Sequence, residues 1–200
     1  MNLIEGTKQQ GLPFQIPDCS RNALPQFFVE KGYKVGAEIG VFQGEFTEKF
    51  CQAGLTMHAI DPWTGYAGAG RTEKVQGKQD INFEHAAARL SPYPNCTLIR
   101  KSSMAALEDF KNDSLDFVYI DGDHRFRYIA EDISEWFRKV KKGGAIAGHD
   151  YFMTSPTSTN VICQVEPVVD AFIKVMSIEN LYVFESDSDR SPSWMFIKET

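Results

Sequence analysis

The chain has no C-x-x-C pair, no excess of basic residues, no long apolar run and no three-glycine nucleotide fingerprint. Cys19, Cys51, Cys96 and Cys163 are dispersed. Their even number would permit disulfides, but a chain of 200 residues can build a core without such staples, so reduced cytosolic thiols are expected. A formal net charge of −6 argues against non-specific binding to nucleic acid or to an anionic membrane surface. No apolar stretch approaches the length of a membrane span. The opening, MNLIEGTKQQGLPF, lacks the basic-then-apolar order of a signal peptide. The expectation is a cytoplasmic protein with no membrane partner and no nucleic-acid partner. Disorder and collagen-like classes are excluded by composition, at 42% apolar and 24% charged residues. Neither a repeat nor a linker divides the chain, so one domain over 1–200 is expected, with 1–34 as an N-terminal extension and helix.

What is present begins with VGAEIGVFQGEFTEKF, Val35 to Phe50. Val35, Ala37, Ile39 and Val41 read as a short buried strand, followed by a turn with Gly40 and Gly44 and a helix opening near Glu45. Such a turn is expected to leave backbone amides pointing outward, ready for a carboxylate or phosphate. Glycine suits it by allowing positive φ and by removing the Cβ that would hold a ligand away. The spacing is Gly-x-x-x-Gly after Glu38, which differs from the dinucleotide fingerprint. No Tyr-x-x-x-Lys pair is present either, and both facts disfavour a nicotinamide-dependent oxidoreductase. The next strand, Thr56 to Asp61, ends in an acid about 20 residues after the first turn, where such folds hold ribose hydroxyls. Asp61 precedes Pro62 and could instead begin a turn. Trp63 could cover an adenine face or simply pack in the core.

Further along, strands and helices alternate. A helix is expected over Arg21 to Lys31 with Pro25 in its first turn, and another over Glu45 to Gln52, stopped by Gly54. Gly65 to Gly77 is rich in glycine and, with Tyr66 and Arg71, could close over an acceptor. Helices are expected over Gln79 to Leu90 and Ala105 to Phe110, and strands over Thr97 to Arg100 and Leu115 to Ile120. Ile129, Ile133, Trp136, Phe137 and Val140 recur at helical spacing over Arg127 to Lys141, with Gly143-Gly144 as the stop. A strand over Gly144 to Gly148, a helix over Pro167 to Met176, and strands over Leu181 to Glu185 and Trp194 to Lys198 complete the pattern. The fold class is therefore α/β: a Rossmann-like, doubly wound, mostly parallel seven-stranded sheet with one antiparallel strand from a C-terminal hairpin.

Ligands of such sheets bind at the carboxyl ends of the strands. Glu38/Gly40, Asp61, Ser102/Ser103, Asp121 and His149/Asp150 all fall there. Asp121-Gly122-Asp123-His124 and Gly148-His149-Asp150-Tyr151 leave adjacent strands, which lie about 5 Å apart. Their carboxylates and histidine could hold a divalent cation, or Asp121 and Asp150 could cap turns with His149 packed between them. His58 and His85 have no evident chemical partner and read as structural.

The order of elements, with VGAEIGVFQGEF, HAIDPW, FVYIDGDHRF and KKGGAIAGHDY, resembles the class I S-adenosylmethionine-dependent methyltransferases. Within them it is similar to the small branch called methyltransferase family 24, related to catechol-type and macrolide-sugar O-methyltransferases. The resemblance covers Val35 to Phe172. It implies that Glu38, Gly40 and Gly44 line the methionine end of S-adenosyl-L-methionine and that Asp61 holds the ribose. It also implies that Ser102, Ser103 and Met104 border the adenine. Asp121 is implied as a cofactor contact, and Asp121, His149 and Asp150 match positions that bind Mg2+ or another divalent cation in metal-dependent relatives. Asp123 or His124 stands where relatives keep a general base. The implied activity is O-methylation of a small-molecule or sugar hydroxyl, with a homodimer left open. A catalytically silent cofactor-binding module is the alternative from another class.

Overall fold

The computed structural model describes residues 1–65, 76–152, 162–187 and 189–199. In chain order the elements are α1 (Leu3–Gly6), β1 (Phe14–Ile16), a 3-10 turn (Arg21–Ala23) leading into α2 (Leu24–Glu30), β2 (Val35–Ile39), α3 (Glu45–Gln52) and β3 (Thr56–Ile60). These are followed by α4 (Gln76–Leu90), β4 (Cys96–Ile99), α5 (Ser103–Ala106), β5 (Leu115–Ile120), α6 (Phe126–Lys139), β6 (Val140–Gly148), α7 (Val165–Val175), β7 (Tyr182–Phe184) and β8 (Ser193–Ile197).

They build an eight-stranded sheet in the order β1-β7-β8-β6-β5-β2-β3-β4. β8 runs antiparallel to β6 and to β7, and the other pairings are parallel. The order reverses between β2 and β5, the place where open α/β sheets leave a crevice for ligands. β5, LDFVYI, shows why the sheet is covered on both sides. Val118 and Ile120 join the cluster formed with α6 and α7, while Phe117 and Tyr119 join an aromatic layer with Phe28, Phe46 and Phe50 from α2 and α3. Alternate side chains point to opposite faces, and both faces are buried. Gly36 is what lets Phe117 lie flat across β2, since a Cβ there would meet its ring at 2.1 Å.

The sheet has one strand more than the seven expected. Phe14–Ile16 pairs parallel with Tyr182–Phe184 at the far edge, so part of the N-terminal extension belongs to the sheet. The helix expected to run to Lys141 ends at Lys139, because Val140 turns extended and pairs with Leu115. Gly143-Gly144 consequently lie within β6 and do not stop the helix. Gly143 takes φ +80 beside the register shift and donates its amide to Lys198 O at 2.6 Å. α4 begins at Gln76, earlier than Gln79, and most of the Gly65 to Gly77 loop lies outside the described residues.

Candidate functional site

Gly40 sets the geometry where β2 ends. It adopts φ +89, and a Cβ there would meet the carbonyl oxygen of Asp121 at 2.2 Å, so only glycine lets the exits of β2 and β5 lie this close. Beyond this close approach, Asp121, His124, His149 and Asp150 converge from β5 and β6.

His124 stands between the two carboxylates, with Nε2 3.5 Å from Asp121 Oδ1 and Nδ1 3.4 Å from Asp150 Oδ2. At the outer limit of hydrogen bonding, Nε2 is left without a good partner in a buried position. Burial pulls the imidazole's pKa down, but Asp121 and Asp150 outweigh it and hold the pKa above the ordinary value. His149 Nδ1 lies 3.4 Å from Asp150 Oδ2 and 3.9 Å from Asp121 Oδ2, and its Nε2 is likewise buried and unpartnered. Burial raises the Asp150 carboxyl, yet the two imidazoles overcome that and keep it well below the usual carboxylate range. Asp150 also sits at φ 50, a conformation that non-glycine residues rarely adopt outside special sites. Donor atoms of Asp121, His124 and Asp150 all lie within 4.8 Å of one another, close enough to share one cation. The expected set had His149 in place of His124; both imidazoles face Asp150.

Asp123 is turned away from this cluster. Its carboxylate takes Arg125 Nε at 2.9 and 3.1 Å, Nη2 at 2.6 Å and the Arg125 amide at 3.1 Å. Although burial raises its pKa, those bonds lower it further, so Asp123 is the weaker base of the two candidates.

The acids expected to face a ligand are engaged within the protein. Glu38 is buried in the aromatic layer, accepting the Thr47 hydroxyl, and burial pushes its carboxyl up to about 8. Asp61 Oδ2 accepts the amides of Val41 at 3.1 Å and Phe42 at 3.0 Å, and Oδ1 accepts Trp63 N at 2.8 Å. Four of the amides expected to point outward from the glycine turn are thus already satisfied. Gly40 N donates to Ile60 O and Gly44 N to Val41 O, both at 2.9 Å. Asp61→Ala would strand three amides, so a loss of about 1–3 kcal/mol is expected in denaturant unfolding. Unchanged stability would mean that water replaces the carboxylate without penalty.

Trp63 packs as core, edge-on to Phe83, with Nε1 donating to Phe42 O at 2.8 Å. Ser102 caps α5 by accepting the Ala105 amide, and Met104 packs against the main core. Ser103 donates to Asp132 and accepts Trp136 Nε1 at 2.7 Å, so it faces inward to a buried network and not a ligand edge. Asp132, which the sequence reading passed over, is pushed up to about 7 by burial. His58 sits edge-on to Phe110, and His85 is exposed on α4, neither of them in the cluster of Asp121, His124, His149 and Asp150.

Arg21 was also missed. From the turn ahead of α2 it reaches Tyr119 OH and Asp121 Oδ2, each at 3.3 Å, with its guanidinium over the Phe46 ring at 4.8 Å. On the β1-β7 side, a cavity of about 510 Å³ opens between Phe152 and Pro192, with Asp18, Glu185 and Asp187 in its wall.

The model of a methyltransferase domain family, Methyltransf_24, matches residues 37–151, more than half of the chain and all of the Asp121, His124, His149 and Asp150 cluster. The chain belongs to that methyltransferase family. Among curated proteins it is 27% identical over 119 residues to an uncharacterized protein of Sinorhizobium fredii, y4gI. That match takes in 56% of this chain and spans only 12% of the relative's length. Solved structures share the chain's fold. A protein of Staphylococcus aureus, provisionally named a caffeoyl-CoA O-methyltransferase, superposes with a TM-score of 0.64 at 13% identity, covering 87% of this chain and 80% of its own. The O-methyltransferase of Bacillus cereus, in complex with SAH, gives 0.60 at 13% identity over 88% and 80%. TomG of Streptomyces achromogenes, an O-methyltransferase involved in tomaymycin synthesis and solved with SAM, gives 0.61 at 12% identity over 88% and 78%.

Proposed function

We propose that this methyltransferase moves a methyl group from S-adenosyl-L-methionine to a hydroxyl of a small molecule or sugar. The observation that carries the reading is the convergence of Asp121, His124 and Asp150 at the exits of β5 and β6, next to the switch point between β2 and β5. Family membership and the SAH and SAM complexes of neighbours of the same fold support the donor. The cavity lined by Phe152 and Pro192 offers an acceptor room, though Asp121, His124 and Asp150 are not in its wall.

In the transfer, the acceptor oxygen attacks the methyl carbon in line, the C–O bond forms as the C–S bond breaks, and S-adenosylhomocysteine leaves. Most of the protein's contribution is positioning, plus removal of the hydroxyl proton. His124 is the group placed to take that proton. Asp121 and Asp150 orient its ring and stabilise the imidazolium that results, whereas Asp123 is diverted by Arg125.

A second reading is favoured by the three donors within 4.8 Å of one another. Two carboxylates and an imidazole fit Mg2+ or a similar divalent cation, and the buried, unpartnered nitrogens of His124 and His149 fit a missing ligand. A cation there would lower the pKa of the acceptor hydroxyl and fix its direction. His124 would then be a ligand, and the cluster's role would be to hold the charge in place.

Calorimetry checks the donor: S-adenosylhomocysteine is expected to bind and NAD is not. A chelator then separates the two readings of His124. Turnover that survives excess chelator leaves it the base, and turnover that is lost and restored by Mg2+ makes it a ligand. Failure to bind S-adenosylhomocysteine would sink the donor itself. A small-molecule acceptor, without nucleic acid or membrane, is part of the same proposal. Among the described residues no helix is long and apolar enough to cross a membrane.

A further inference from the structure

The methyl donor ends in an α-amino acid, and its carboxylate needs hydrogen-bond donors. Four amides of the glycine turn are already taken. The amides of Gly40, Val41, Phe42 and Gly44 each have an acceptor already, and for two of them that acceptor is the negative charge of Asp61. A ligand carboxylate placed there would have to displace Asp61 or lie against it. Glu38 is no substitute, since an acid repels an anion when ionised and is buried besides.

Arg21 has the opposite character. It lies where β5 ends, against Tyr119 and Asp121, with its guanidinium over the Phe46 ring. Both of its hydrogen bonds use Nη1; among the described residues no protein acceptor lies within bonding distance of Nε or Nη2, and 29% of the side chain is accessible. An arginine that served only to neutralise Asp121 would be expected to close a two-pronged pair with it. This one makes a single contact at 3.3 Å and keeps the rest of its fork open. A guanidinium packed over a ring with spare donors is the group that recognises a carboxylate with two parallel bonds. Its neighbour Asp121 offers a negative charge to an ammonium. Together the pair presents the charges that an α-amino-acid group requires, in adjacent positions.

We propose that Arg21 receives the α-carboxylate of the methyl donor, with Asp121 beside it for the α-ammonium. The inference rests on the S-adenosylmethionine reading above and assigns the amino-acid end of that ligand to the N-terminal turn. The Val41 and Phe42 amides then remain with Asp61, which locks the turn for the nucleoside end.

The test compares S-adenosylhomocysteine with 5′-methylthioadenosine, which keeps the nucleoside and thioether but has no amino acid. Both are titrated calorimetrically into wild type, Arg21→Met and Arg21→Lys, with thermal unfolding measured alongside. Arg21→Met is expected to weaken S-adenosylhomocysteine roughly 10–100-fold, the range of a lost charge-assisted bond, and to leave 5′-methylthioadenosine within about twofold. Arg21→Lys should recover part of the loss, since it keeps the charge and lacks the fork. If Arg21→Met does not fold, the lysine variant alone should still weaken S-adenosylhomocysteine selectively. A parallel fall for both ligands, or no fall for either, overturns the proposal and leaves Arg21 a structural partner of Asp121. A wild type that binds neither ligand overturns the donor reading, and this inference falls with it.

Discussion

His124→Ala is expected to lower kcat by about 10²–10⁴-fold while S-adenosylhomocysteine still binds with nearly unchanged affinity. The size follows from what the imidazole is given. It has a carboxylate on each side, one nitrogen with no good partner, and a position on the loop directly after Asp121, at the crevice between β2 and β5. Asp123→Asn is the contrasting variant. Its carboxylate is spent on Arg125 and on the amide just ahead of α6, so the expected loss is about 1 kcal/mol of stability with little change in rate. Rapid-quench measurement of the chemical step on the acceptor distinguishes the two. If His124→Ala keeps the wild-type rate, proximity or another group such as His149 carries the reaction.

Glu38→Gln is expected to flatten the fall in stability that the wild type suffers on going to alkaline pH. Burial raises the Glu38 carboxyl from an ordinary 4.5 to about 8, with the Thr47 hydroxyl pulling modestly the other way. An acid whose pKa is raised on folding gives stability that is fully present below about 4.5 and lost as pH rises through about 8. The difference amounts to on the order of 5 kcal/mol as a ceiling between those limits. Glutamine can still accept the Thr47 hydroxyl but does not titrate, so its advantage over wild type should grow steadily from pH 5 to pH 9. Thermal unfolding across that range reads it, and parallel curves for the two proteins would refute the buried-acid account. Asp132, raised to about 7 by burial, adds a slope of the same sign in both proteins and cancels in the comparison.

What was legible in the sequence depended on how local the cause was. β5 could be read because LDFVYI is apolar on both faces, and α3 because Gly44 and Gly54 bracket it. β1 could not: Phe14-Gln15-Ile16 is too short for periodicity, and it is a strand only because β7 offers an edge. The end of α6 was misplaced because Val140 continues the helical apolar spacing while its backbone already pairs with Leu115. In the site, the approach of Asp121 to Asp150 was foreseeable from the ends of neighbouring strands, whereas the imidazole expected between them was His149 and the one found there is His124. Which way a polar side chain turns at such an end was not. Ser103 chose Asp132 and Trp136, and Asp61 chose the glycine turn, because each finds bonds inside the protein that a sequence does not display. Arg21 was invisible for a different reason: its partners lie 98 and 100 positions away.

The three residues of β1 also bear on what the border of this sheet offers to another sheet. Without them, Tyr182-Val183-Phe184 would present one row of open amides and carbonyls, an invitation to edge-to-edge pairing with another sheet. β1 covers that row and is itself a poor template. It is short and stands between Pro13 and Pro17, neither of which can donate to a further strand. Trimming the N-terminal segment would therefore trade a soluble border for a sticky one, whatever it did to catalysis.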